Sequence, residues 1–147
     1  MTTSHLVQDS ANLSRASRKG LHIGLWVAQA LLALAFLGAG VMKTTAPLAE
    51  LQAKMPWVNG ALGGLVRFIG TAELFGAVGL VLPAATRIKP WLTPLAAVGL
   101  LTVMVLASLT HAARGEFPML GVNAVLGGLA AFVAWGRFRG APIEPRS

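Results

Sequence analysis

Residues 61–82 read ALGGLVRFIGTAELFGAVGLVL, an apolar stretch interrupted only by Arg67 and Glu73. At a helical rise of ~1.5 Å per residue, Glu73 lies ~18 Å from one end of that stretch and ~13 Å from the other. A bilayer's hydrocarbon core is ~30 Å thick, so this carboxyl sits near its middle. An ionisable group at that depth is expensive and points to function. A glutamate is too short to reach either interface. It must be protonated, paired, or turned toward a hydrated cavity.

Three further stretches have the same character: 21–42, 91–111 and 118–136. Each is long enough to prefer a membrane span over a buried soluble helix. Pro94 falls in the first turn of the third and Pro118 opens the fourth, where a missing N–H costs little. Hydrophobic residues make up 55% of the 147-residue chain and charged residues only 12%, about half the usual share of a soluble domain. The expected fold is therefore all-α: an integral membrane four-helix bundle over residues 21–137. Residues 1–20 and 138–147 read as flexible cytoplasmic tails. The first apolar run is too long, and its polar lead-in too extended, for a cleaved signal peptide. Loops are short except 43–60, whose segment Pro47–Met55 fits a brief amphipathic helix in the outer interface. Glycines such as Gly70, Gly76 and Gly79, and the pair Ala124/Gly128, suit close helix contact in lipid.

Basic residues set the orientation. Arg15, Arg18, Lys19, Arg87, Lys89, Arg137, Arg139 and Arg146 fall on one side, against Lys43, Lys54 and Arg114 on the other. The excess of lysine and arginine marks the cytoplasmic side, giving N-in and C-in. Trp26, Trp91 and Trp135 then lie near the inner interface and Trp57 near the outer one, as an aromatic belt requires. The formal net charge of +7 belongs to this asymmetry next to an anionic membrane, and a nucleic-acid partner is not expected. The chain has no cysteine, which excludes disulfides, thiolate nucleophiles and cysteine-held clusters.

Depth sorts the polar residues of the spans. Glu73, Gln29 and Thr102 lie near the midplane; Arg67, Asn123, Ser108 and His111 lie nearer the outside, with Lys43, Arg114 and Glu116 at the mouth. The cytoplasmic half carries almost nothing polar, so a cavity is expected to open outward or laterally. Candidates for ligand binding or proton handling are Glu73, Arg67, His111, Lys43, Gln29, Asn123 and Ser108. Arg67 and Glu73, six residues apart, are ~120° around the helix and ~9 Å along it, so a bridge between them needs long-arm reach or water. Bland roles stand beside these: Arg67 can snorkel to headgroups, His111 can anchor a helix end, and Gln29 and Asn123 can hold helices together. No bundle-type metal set such as Glu-x-x-His occurs in the spans, and no metal is expected.

Gly38–Lys43 (GAGVMK), Arg67–Gly76 (RFIGTAELFG), Gly79–Pro83 (GLVLP) and the group Ala107–His111 with Arg114, Gly115 and Glu116 resemble the DoxX-like family of small bacterial membrane proteins. The likeness covers roughly residues 26–137, and Lys43, Arg67, Glu73 and His111 match as pattern positions. It implies a four-helix protein of the bacterial cytoplasmic (inner) membrane. Relatives of this kind include the membrane subunit of a thiosulfate:quinone oxidoreductase and membrane partners of redox-stress enzymes. Two functions are compatible with the residues. One is a redox-linked membrane component that binds a quinone or similar apolar small molecule, with Glu73 and Arg67 at its polar head. The other is a non-enzymatic scaffold for a protein partner or homo-oligomer, or a small-solute carrier. Without a cysteine pair, metal set or nucleotide site, redox catalysis by this chain alone is not expected.

Overall fold

The computed structural model describes the backbone of residues 2–146 and the side chains of residues 15–146. Met1 and Ser147, the ends of the two expected tails, lie outside the described residues. Five α-helices follow in order: α1 (Thr2–Thr45), α2 (Leu48–Lys54), α3 (Gly63–Thr86), α4 (Leu92–Ala113) and α5 (Phe117–Trp135), with a π-helical turn, Gly136–Gly140, closing the last. No strand occurs among the described residues. Four of the helices, all but α2, are long and apolar enough to cross a membrane.

The long helices pack in a ring, α1 on α3, α3 on α4, α4 on α5 and α5 back on α1. Short connections force neighbours to be antiparallel, which brings both termini to one end of the bundle. The core sorts residues by size in the way lipid-facing helices require. Ala28, Ala77, Ala84, Ala97, Ala130 and Ala134 are buried, while Phe68 and Phe75 are 70% and 75% exposed. Association of helices in lipid depends on packing, not on hiding apolar area from water, so small residues face inward and large ones face the tails. Phe36, Leu32, Leu80 and Leu100 fill the space left at the centre.

Where the helices approach most closely, glycine is required. A Cβ on Gly70 would stand 2.7 Å from the Lys43 Cβ and 3.1 Å from the Gly40 carbonyl oxygen, and one on Gly40 would stand 2.8 Å from the Gly70 oxygen. Gly76 meets Leu100 and Gly79 meets Ala96 in the same manner between α3 and α4. Gly128 faces open space and Ala124 is exposed, so this pair of the expected small-residue set is not a packing notch.

Three boundaries differ from the sequence reading. The helix α1 begins at Thr2, although residues 1–20 read as a flexible tail. Extending an established helix costs far less than nucleating one, and no glycine or proline interrupts the chain before Gly20. The helix α3 runs past Pro83 to Thr86, because in a packed span the lost N–H of a proline can be tolerated. The C-terminal segment returns to the end of α3: the Arg146 N–H donates to the Arg87 carbonyl, and Arg87 Nε donates to the Glu144 carbonyl. Those bonds hold Arg87 in the left-handed conformation (φ 60°) that ends α3. As the sequence suggests, α2 is a short amphipathic turn, with Leu51 buried beside Val58 and Val66 under the first loop.

Candidate functional site

The buried stripe of α1 runs Leu25, Gln29, Leu32, Phe36, Gly40, and Lys43 continues it. The stripe of α3 runs Val66, Gly70, Glu73, Ala77, Leu80. Lys43, at the end of the first stripe, and Glu73, in the middle of the second, meet. Side chains on a helix lean toward its N-terminus, and α1 and α3 are antiparallel. Lys43, set beside Gly70, therefore reaches down into the bundle while Glu73 reaches up toward it. The Lys43 Nζ lies 2.5 Å from Glu73 Oε1 and 2.7 Å from Oε2. The Glu73 side chain is 2% exposed and that of Lys43 18%. Of the three options open to a carboxyl at this depth, the protein has a paired one. The bare Gly40–Gly70 contact is what lets the two backbones come near enough for the lysine to arrive.

Arg67 does not bridge to Glu73 directly. It leans outward, as a residue of α3 must, and caps the end of α1: one terminal nitrogen donates to the Lys43 carbonyl at 2.7 Å and the other to the Ala46 carbonyl at 2.6 Å. Carbonyls at a helix C-terminus lack intrahelical donors and carry partial negative charge, so a guanidinium suits them. Arg67 thus ties down the backbone of the residue whose side chain holds Glu73. Thr44 closes the same turn by donating to the Gly40 carbonyl.

The remaining candidates separate. His111, Arg114 and Glu116 form their own cluster at the α4–α5 connection: His111 Nδ1 is 2.6 Å from Glu116 Oε2, and Arg114 Nε donates to Oε1 at 2.8 Å. Gly115, at φ 73°, makes the turn that folds Glu116 back onto α4. Hydrogen bonding from His111, then from Arg114, holds the Glu116 carboxyl below its usual range. A depressed carboxyl pKa contributes stability that is complete above the unfolded-state value and is lost as pH falls through the folded-state one. We expect acidification below about pH 4.5 to remove that contribution, and Glu116→Gln to abolish this part of the pH dependence. Melting temperature against pH for the two proteins provides the check. Ser108 bonds only its own helix, at the Met104 carbonyl, and Thr102 is exposed and does the same at Val98. Asn123 is 8% exposed, and its amide nitrogen has no partner among the described residues.

A second polar group lies near the termini, in the half of the bundle expected to be apolar. Gln29 is fully buried; its amide nitrogen donates to the Leu80 carbonyl, and its oxygen accepts from Arg137 Nε at 2.7 Å. Arg137, which the sequence assigns to the basic flank of the last span, is 4% exposed. Its guanidinium lies 5.4 Å from the centre of the Trp26 ring. One signal was available: Asn123, Gly127, Ala130, Ala134 and Arg137 are spaced by four, three, four and three residues, so Arg137 continues the buried face of α5. Of the seven candidates, the structure joins Lys43, Glu73 and Arg67 in one group and leaves Gln29, Asn123, Ser108 and His111 apart from it.

Two cavities are prominent. One, of about 480 Å³, opens beside His22 at the termini end. The other, of about 430 Å³, is an apolar lateral groove between α3 and α4, lined by Phe75, Gly76, Gly79 and Leu100 among others. Neither is lined by Glu73.

No curated protein and no solved structure matches this sequence. The profile of the DoxX-like family matches residues 27–133, which takes in all four long apolar helices together with Lys43, Arg67, Glu73 and His111. This chain belongs to the DoxX-like family.

Proposed function

We propose that this membrane protein is a redox-linked component that holds the polar head of a quinone or similar apolar small molecule at Lys43. One observation carries the reading. An ammonium has three N–H donors; Glu73 takes two of them, and the side chain remains 18% open. The third donor suits a carbonyl oxygen of a lipid-soluble ligand arriving within the bilayer. Glu73 keeps the lysine aimed and offsets its charge, and Arg67 fixes the turn from which it projects. Electron transfer itself is assigned to a partner protein, because this chain has no cysteine and its polar group binds and orients without supplying a redox centre.

Extraction of lipid-soluble material from the purified protein, followed by mass spectrometry, tests this. A quinone-class compound is expected with the wild type and is expected to be lost from Lys43→Met. If the wild type carries none, the reading fails. The second reading, a scaffold or small-solute carrier, draws support from the saturation of Glu73 by Lys43, an arrangement that also serves simply to lock α1 against α3.

The orientation proposed from the basic residues places the termini end in the cytoplasm of a bacterial inner membrane. Reporter fusions at Trp57 and at the C-terminus are expected to read external and cytoplasmic, respectively. An external C-terminal signal would reverse the assignment.

A further inference from the structure

The polar group around Arg137 contains too many donors. Arg137 offers five N–H bonds and can accept none, and the Trp26 indole nitrogen only donates. Both turn toward the same imidazole: Trp26 Nε1 lies 3.1 Å from His22 Nε2, and an Arg137 terminal nitrogen lies 3.2 Å from His22 Nδ1. A neutral imidazole accepts at one nitrogen and donates from the other, so it cannot satisfy both. Among the described residues, the other acceptors meeting this guanidinium are the Gln29 side-chain oxygen and the Ala141 carbonyl, at 3.1 Å. Its second terminal nitrogen is buried with no partner among the described residues. No carboxylate pairs with Arg137 among them either. A buried cation without a counter-charge is costly, and the surplus calls for an anionic acceptor.

A place for one adjoins the group. The cavity of about 480 Å³ at the termini end is lined by Arg18, Lys19, His22, Ile23, Ala141 and Glu144, among others. His22 and Ala141 are the residues that Arg137 bonds from behind the wall. With Arg18 and Lys19 at the front, Arg137 behind and only Glu144 opposing, the charge around the cavity is net positive. Its size is that of a small-molecule site. Ile23, 64% exposed on one side, and Trp135, 54% exposed nearby on α5, place it at the depth where apolar tails meet headgroups.

We infer that this cavity binds a phosphate-bearing anion, with the headgroup of an anionic phospholipid and a soluble phosphate as its two sources. Arg18 and Lys19, one turn before His22, would meet the phosphate oxygens, and the Arg137 guanidinium behind His22 and Ala141 would gain from the anion the counter-charge it lacks. This site is independent of the Lys43 reading: Lys43 and His22 are ~31 Å apart along α1.

Thermal shifts of the full-length protein in detergent, titrated with phosphatidylglycerol, phosphatidylcholine or inorganic phosphate, provide the test. Phosphatidylglycerol is expected to raise the melting temperature saturably and phosphatidylcholine much less. The exposed pair Arg18→Gln/Lys19→Gln is expected to weaken that response about tenfold or more, as loss of charge-assisted hydrogen bonds implies, and Arg137→Gln is expected to weaken it less, through loss of the positive charge behind the wall. The pair Lys54→Gln/Arg114→Gln, at the ends of α2 and α4, removes equal charge at the opposite end of the bundle and is expected to leave the response unchanged. Should Arg137→Gln fail to fold, the two double variants decide. A shift with inorganic phosphate and none with lipid would support the anion site with a soluble source. Equal responses to both lipids, no response to either lipid or phosphate, or equal loss in both double variants would overturn the proposal.

Discussion

Glu73→Leu is expected to cost about 3–5 kcal/mol of stability, because it leaves the Lys43 ammonium unpaired inside the membrane. The effect is expected to shrink in company. Lys43→Met together with Glu73→Leu removes both charges and should recover most of the loss, since an ion pair replaced by apolar groups of similar volume is often nearly neutral. Glu73→Gln keeps one acceptor for the lysine and should fall between. Melting in detergent across these proteins and the Lys43→Met single variant measures the coupling directly, because the two residues touch and their effects cannot add. If the double variant melts as low as Glu73→Leu, the lysine is not the partner that matters.

The second large effect is expected at the closest helix contact. Gly70→Leu would drive a side chain into the Lys43 Cβ and the Gly40 backbone, neither of which can swing aside as the tip of a flexible side chain could. Overpacking of this kind costs typically about 1–3 kcal/mol and occasionally more. Here it also pulls Lys43 away from Glu73, so the loss is expected at or above the top of that range. Gly128→Leu is the control: nothing lies within 4 Å of its added Cβ, and its melting temperature should barely move. Leucine is the better helix former at both positions, so equal losses at Gly70 and Gly128 would mean that the close contact with α1 is not what Gly70→Leu disrupts.

The spans were legible because lipid imposes a length and a composition that few other environments require. Glu73 was legible for the same reason, since a carboxyl at mid-bilayer needs an explanation wherever it occurs. Its partner was less so. Lys43 and Glu73 are 30 residues apart, and linking them requires knowing that α1 and α3 are antiparallel neighbours in contact at Gly40 and Gly70. The six-residue separation of Arg67 and Glu73 drew attention to the wrong cation. On one helix both lean outward, and the arginine reaches the end of α1 before it can turn back. Arg137 was hidden by a sound rule applied too widely: a basic residue just beyond an apolar span usually marks topology. Its place on the four-three spacing of the buried face of α5 was the contrary signal. No periodicity encodes the π-helical turn at Gly136–Gly140, where Gly136 sits against Leu25. That depends on the fit between two helices.

The most direct measurement of the role assigned to Lys43 is calorimetric titration of a short-chain quinone into the purified protein, the Lys43→Met/Glu73→Leu double variant and Glu73→Gln. The double variant matters most, because it is expected to keep the fold while removing the donor. Saturable binding to the wild type is the expected result, weakened about tenfold or more in the double variant, with Glu73→Gln retaining part of it. Binding to the double variant with wild-type affinity, in protein that melts normally, would contradict the assignment of the quinone head to Lys43.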